Sequence, residues 1–324
     1  MGKVSAQVFS LRRASEPVTE RLELACPAYN LTSLKAAVEN GANSIYIEYR
    51  PAGLHPHLRS LLAHDAALRK GIRYAHAHKA KVVLSLSQPH VDADPWTASI
   101  AMIRDASKLG IDAITLSDPA LMLYTAAHYP GLAMHYMAPQ SMLEANAIRH
   151  LKRNIPFTRV ILPRVVSVAQ IEEISRIPGI GVELVGFGKG CTILTPRVAP
   201  HDTPDTPTLP GCPAAIERIS QRSFHSATPL DGGTEACGLP GPAMNDQLFH
   251  LEHSDEWHAL NVLPQLAAIH VRALRIELQE HSSSKLARLT RVWREAIDEC
   301  LHDTQHFNVR PAWLAELRNL SSSH

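Results

Sequence analysis

Short apolar runs alternate with amphipathic stretches along this chain, and the alternation sets the fold class. LELACP (22–27) predicts a strand closed by Pro27. Asn30 and Thr32 can cap the helix LTSLKAAVEN, and Gly41 stops it. A side-chain oxygen there satisfies free amides of the first turn, and glycine accepts the left-handed conformation past the last. SIYIEY (44–49) is the next strand, a long helix fills 57–79, and KVVLSLS (81–87) is a strand. The rhythm continues with a helix over 95–109 ended by Gly110, a strand DAITLSD (112–118), and a helix ALMLYTAAHYP stopped at Pro130. A strand LAMHYM (132–137) and a helix over 141–153 follow. RVILPR (159–164), VSVAQIEEISRI (166–177) and GVELVGF (181–187) read as strand, helix and strand. QLFHLEH (247–253) and ALRIELQ (273–279) are the candidates for further strands, and a helix over 285–301 closes the pattern.

Strict alternation implies parallel strands, because each helix is the crossover that parallel pairing requires. About eight such units fit an α/β fold of the (β/α) barrel type better than an open doubly wound sheet, which stays the alternative. No GxGxxG follows the first strand, so nothing points to a dinucleotide fold. Residues 188–246 break the rhythm with a Pro/Gly-rich, cysteine-bearing insertion that leaves from the carboxyl end of a strand. Barrel enzymes place their chemistry on that face. The expected organisation is a flexible tail over 1–20, a barrel-like domain over 21–305 that contains the insertion, and a C-terminal tail over 306–324.

Composition narrows the function. The chain has 324 residues, 45% of them apolar, and a formal net charge of +1. That balance argues against a dedicated nucleic-acid binder, which carries a basic excess. No apolar run reaches the ~18–20 residues of a membrane span. The N-terminus has Lys3, Arg12 and Arg13 with no acid before Glu16, compatible with a transit peptide but read as a frayed tail, and no secretory apolar region follows. The cysteines are Cys26, Cys191, Cys212, Cys237 and Cys300. An odd number without a secretory signal suggests a reducing, cytoplasmic setting, where clustered cysteines serve metal or catalysis.

Cys191, Cys212 and Cys237 all lie in the insertion, separated by 20 and 24 residues. No CxxC pair occurs, so a zinc ribbon is disfavoured. An iron–sulfur cubane tolerates wide spacing but takes four ligands, and three unrelated loop cysteines fit the spacing as well. Glu23, Glu48, Asp118 and Glu277 are acids at strand ends that can converge on one barrel mouth and act as acid or base where burial raises their pKa. Alternatively they cap helices or pair with arginines such as Arg164, and for Asp118, before Pro119, the cap reading prevails. His76 and His78 stand two apart on a helix and face different sides. His55 and His57 flank Pro56 in a loop, and His253 and His258 near Trp257 either line a pocket or pack. Neither HExxH nor GxSxG occurs.

ELACPAYNLTSLKAAVENGANSIYI resembles the opening of the collagenase-like peptidase U-thirty-two family. So do RVILPRVVSVAQIEEI, WHALNVLPQLAAIHVRALRIE and the helix containing RVWREAIDEC, and the likeness runs from Glu23 to Cys300. Within the family the chain looks most like the UbiU-like branch of dioxygen-independent ubiquinone biosynthesis. That resemblance implies a 4Fe-4S cluster on Cys191, Cys212 and Cys237, a UbiV-like partner chain and a quinone-precursor or other aromatic substrate. It also implies a role in oxygen-independent ring hydroxylation and marks Glu277 as a candidate catalytic residue, while Arg164, after a Leu-Pro pair at a strand end, is the second candidate from its position, as an anion binder or a salt-bridge partner.

The family's second cysteine is expected just after Arg197, where this chain has Val198, which cannot ligate iron. Three outcomes stay open: His201, Asp202, Asp205 or solvent fills the fourth position, Cys26 swings in, or the cluster is lost. Tyr29 replaces a family glycine, YRPAGLHPHL replaces a polar loop, and Leu278 and Gln279 follow Glu277 where the family has Gly and Arg. The alternatives are a non-catalytic scaffold subunit, an RNA-base hydroxylation factor and a peptidase, with the neutral charge weighing against RNA.

Overall fold

The computed structural model describes residues 22–49, 65–86, 95–188, 192–194, 257–278 and 282–321. The insertion's cysteines, His55, His57, His253 and the candidate strand 247–253 lie outside them.

Strand β1 (Glu23–Pro27) leads into α1 (Leu31–Glu39), whose first turn is closed by a capping box between Asn30 and Ser33. There follow β2 (Ser44–Tyr49), α2 (Asp65–Ala77), β3 (Lys81–Leu86) and α3 (Pro95–Leu109). Next come β4 (Ala113–Leu116), α4 (Pro119–His128), β5 (Ala133–Met137), α5 (Ala145–Asn154) and β6 (Arg159–Ile161). A short strand β7 (Val165–Ser167) precedes α6 (Val168–Ser175) and β8 (Gly181–Gly188), after which β9 (Thr192–Leu194) pairs with β7 in a small ribbon. The chain is described again at β10 (Trp257–His258), α7 (Leu263–Ala268), β11 (Ala273–Ile276), α8 (Ser283–His302) and α9 (Pro311–Ser321).

Strands β1 to β6 pair in sequence, β6 pairs with β8, β8 with β11, and β11 with β1, all parallel. The sheet is therefore a closed barrel of eight parallel strands with helices outside. The expected (β/α) barrel is borne out, and β11 is its eighth strand.

Strand parity sorts the side chains. Leu24, Cys26, Ile45, Ile47, Val82 and Leu84 belong to the large core beneath the helices, while Ala25, Tyr46, Val83 and Ala113 form a separate cluster inside the barrel. Helix α8 carries the largest plug of the outer layer, Trp293, which is fully buried. Gly186 makes room for it: a Cβ there would stand 3.3 Å from the Trp293 ring and 3.3 Å from Leu274 Cβ.

One boundary differs from expectation. The stretch 306–324, read as a tail, contains α9, whose Trp313, Leu317 and Leu320 are buried. Arg288 of α8 grips Glu316 of α9 through Nε and Nη2, at 2.5 and 2.8 Å. An apolar stripe at helical spacing needed a surface to cover, and α8 supplies it.

Candidate active site

The carboxyl ends of the strands form one rim, and there Arg164, just past β6, meets Glu277, just past β11. Arg164 Nη2 stands 2.6 Å from Glu277 Oε2. In the barrel order β8 lies between these two strands, so the pair bridges across its carboxyl end. The Glu277 amide donates to Phe187 O of β8 at 2.8 Å, which fixes the acid's backbone to that strand. Beyond Gly188 the described chain resumes at Thr192, which pairs with Val165, the residue after Arg164. The insertion thus leaves the barrel beside this ion pair.

Two tyrosines floor the same rim. Tyr46 Oη donates to Ile276 O at 2.6 Å, and its ring carries the Arg275 guanidinium 4.2 Å from the centroid. Tyr29 Oη donates to Leu278 O. The tyrosine that stands in place of the family glycine therefore ties the first βα turn to the strand carrying Glu277. Burial pushes the Glu277 carboxyl up, Arg164 and Arg275 oppose this, and Glu48 at the end of β2 adds to it. A carboxyl held above its ordinary value beside a fixed cation is suited to moving a proton.

Below the rim the barrel is filled by charge. Glu183 of β8 accepts from Arg159 Nη1 at 2.9 Å and from Arg275 Nε at 2.7 Å. Arg159 also reaches Glu23, which Arg272 Nε approaches at 3.3 Å. Burial alone would raise Glu183, but the two guanidiniums outweigh it and hold its pKa at about 2. His135, buried next to Arg159 in the strand register, is pushed down to about 3, first by burial and then by that cation, so it is neutral. This network is a plug, since every charge in it is paired inside the barrel.

The predicted residues divide accordingly. Glu277, Arg164 and Glu48 stand at the carboxyl rim. Glu23 does not join them: β1 begins at Glu23, which places it at the opposite end, in the ion network. Asp118 caps α4, accepting from Ala120 N at 2.7 Å and Leu121 N at 3.4 Å. His76 binds Asp112 at 2.8 Å, and His78 bonds Tyr74 O at 2.9 Å. His258 lies in β10 with Nδ1 buried and its pKa lowered by burial. Sequence reasoning passed over Arg159, Glu183 and Arg275, although a charge at an inward position of an apolar strand was a signal for them.

Cys191, Cys212, Cys237, Val198, His201, Asp202 and Asp205 lie outside the described residues. The two described cysteines do not fit an iron–sulfur centre. Cys26 points away from the mouth, with Sγ 3.5 Å from Thr290 Oγ1 of α8, and burial pushes its pKa up to about 12. Cys300 is buried on α8, its pKa raised by burial to about 11. The swing of Cys26 into the mouth is thereby corrected: parity turns it outward.

The closed parallel barrel is of the (β/α) type, and the acid–arginine pair stands on the carboxyl rim, the face where barrel enzymes place their chemistry. Residues 29–198 and 237–324 match the model of Peptidase family U32, and the chain belongs to that family. It is similar to tRNA hydroxylation protein P1 of Bacillus subtilis (strain 168), 24% identical over 98% of this chain and 72% of the relative. It is also similar to tRNA hydroxylation protein P of Escherichia coli (strain K12), 23% identical over 86% of this chain and 68% of the relative. A third relative is the 23S rRNA 5-hydroxycytidine C2501 synthase of Escherichia coli (strain K12), 21% identical over 90% of this chain and 43% of that protein.

Proposed function

We propose that this chain takes part in the hydroxylation of an RNA base, with tRNA as the first substrate to test. The observation that carries the reading is the likeness, over 98% of the chain, to a protein named for tRNA hydroxylation. The rim supports it. Replacing a ring C–H by C–OH requires a base for the ring proton, and Glu277, with its pKa raised by burial, is the candidate for that role. Arg164 supplies a fork for an oxyanion or a phosphate. With water as the oxygen source, the ring C–H and one water give C–OH, two protons and two electrons, so an external two-electron acceptor completes the reaction. The family resemblance would put an iron–sulfur cluster, a group able to pass electrons, on Cys191, Cys212 and Cys237, which lie outside the described residues. The sequence lacks HExxH and GxSxG, so the family name is not carried over as a peptidase activity.

The experiment is nucleoside mass analysis of tRNA from a deletion strain. Loss of a nucleoside carrying one extra oxygen, restored by this chain and not by Glu277→Gln, is the expected result. An unchanged nucleoside profile counts against the reading.

A second substrate class, a quinone-precursor ring handled with a UbiV-like partner, is favoured by the near-neutral charge and the UbiU-like sequence blocks. Quinone content of the same strain grown without oxygen distinguishes the two. Iron and sulfide content after oxygen-free isolation, beside a Cys212→Ser control, tests the cluster and the scaffold alternative together.

A further inference from the structure

We infer that the solvent face of α2 docks the phosphate backbone of the RNA, an inference that rests on the proposed RNA-base hydroxylation. Arg69, Lys70 and Arg73 are exposed on this helix, and exposed Lys79 follows in the turn after it. Arg73 stands four residues after Arg69 and three after Lys70, so it neighbours both on the helix surface. None of these four cations has a hydrogen-bond or ion-pair partner among the described residues. Two acids nearby are already engaged. Glu39 accepts from Tyr74 Oη at 2.5 Å, and Asp112 accepts from His76 Nε2 at 2.8 Å and from Val82 N at 2.7 Å.

Several arginines elsewhere on the outer helices are neutralised in pairs, whereas Arg149 of α5 bonds Asn146 and Arg291 of α8 bonds Asn40, both neutral. Arg104 meets Asp105, Arg288 meets Glu316, Arg294 meets Asp298, and Arg310 meets Glu299. The whole-chain charge of +1 therefore conceals a local surplus on α2. From Arg69 to Lys79 the surplus runs about 15 Å at a helix rise of ~1.5 Å per residue. Between its ends sits a ring pair: Lys35 Nζ lies over Tyr74, 4.8 Å from the ring centroid, and exposed His78 meets Tyr74 with centroids 4.3 Å apart and the rings tilted by 30°. Unpaired cations flanking an exposed ring are what a nucleic-acid backbone and a splayed base require.

The placement links this face to the mouth. Lys79 and Ala80 lead directly into the amino end of β3 at Lys81, so α2 runs back along the barrel wall. Its Asp65 end accordingly lies toward the carboxyl rim, where Glu48 and Glu277 stand. RNA held on Arg69, Lys70 and Arg73 lies within reach of the acid.

The test measures binding of an unmodified, in vitro transcribed tRNA to the full chain across a salt series. Each lost phosphate contact flattens the plot of log affinity against log salt by about one unit. The combined variant Arg69→Gln, Lys70→Gln, Arg73→Gln is expected to bind at least ~10-fold more weakly at low salt, with a slope shallower by about 2 to 3. Arg176→Gln, a charge removed from an existing pair with Glu172 on α6, is the control and should leave the slope unchanged. If the parent chain binds and hydroxylates the tRNA but the triple variant keeps its slope, the docking face is wrong and the proposed function stands. If the parent chain shows no salt-dependent tRNA binding, both fall.

Discussion

Arg164 and Glu277 are 113 residues apart in the chain, yet their charged groups meet at 2.6 Å over the carboxyl end of β8. Among the described residues Glu277 Oε2 has no hydrogen-bond partner, so its contact with Arg164 is one of charge with charge. The fold sets the acid's proton affinity by two opposed effects, burial raising it and the guanidinium lowering it.

This opposition predicts a pH signature. The basic form of Glu277 grows in as pH rises through its raised pKa, so activity should climb along that limb. Arg164→Gln removes a lowering influence and should move the limb to higher pH, while Glu277→Gln should abolish it and cost about 10²–10⁴-fold in rate. The stability linkage has the matching sign. A carboxyl whose folded pKa stands above its unfolded value of about 4.3 favours the fold below that value and loses the contribution as pH rises through the folded pKa. A pH–rate profile of tRNA hydroxylation for the three proteins checks the first part, and urea midpoints against pH check the second.

The barrel plug predicts the opposite behaviour in acid. Glu183 is held at about 2 because Arg275 and Arg159 outweigh the cost of burial. Its stabilisation is fully present above the unfolded value of about 4.3 and is lost as pH falls toward 2. Glu183→Gln leaves two guanidiniums in the barrel without their shared carboxylate and should cost about 3–5 kcal/mol at neutral pH. Urea unfolding should show this loss, with a flatter stability curve below about pH 5 than the parent chain.

The elements whose physics is local were legible in the sequence. SIYIEY became β2 with the same bounds, and Asn30 and Asp118 cap the helices they were assigned. What required non-local knowledge was not legible. β7 and β9 are three residues each and exist only because they pair with one another. Glu23 was grouped with the mouth acids because it borders a strand. Which end of the strand it borders decides its role, and β1 starts at Glu23. The Arg164–Glu277 pair follows from closure of the barrel, which brings β6 and β11 to either side of β8, and no spacing rule announces it. Net charge carries little positional information for a related reason, since it sums paired and unpaired cations alike.

Helix α9 yields a separate prediction. Trp313 is 3% exposed, and its Nε1 donates to Glu295 of α8 at 3.2 Å. If α9 is part of the folded body, Trp313→Ala should cost about 3–5 kcal/mol, as for other buried aromatic deletions. Urea unfolding measures this. A loss of only a few tenths would mean that the stretch behaves as the tail its sequence position suggested.

The cysteines give the sharpest contrast between scaffold and chemistry. Nucleophilic cysteines act as thiolates, and a buried thiol whose pKa stands far above neutrality offers almost none. Burial holds Cys26 at about 12 and Cys300 at about 11, with both side chains packed in the helix–strand layer. Brief iodoacetamide treatment of the native chain should therefore leave these two unmodified, and both should label once urea opens the core. Cys26→Ala, which removes the sulfur and keeps an apolar side chain against Thr290, should leave the iron content of anaerobically isolated protein unchanged. Cys191→Ser, Cys212→Ser or Cys237→Ser should lower it. Iron lost with Cys26→Ala at undiminished urea stability would mean that β1 presents this sulfur to the mouth, contrary to the strand parity that turns Glu23 and Ala25 inward and Cys26 toward α8.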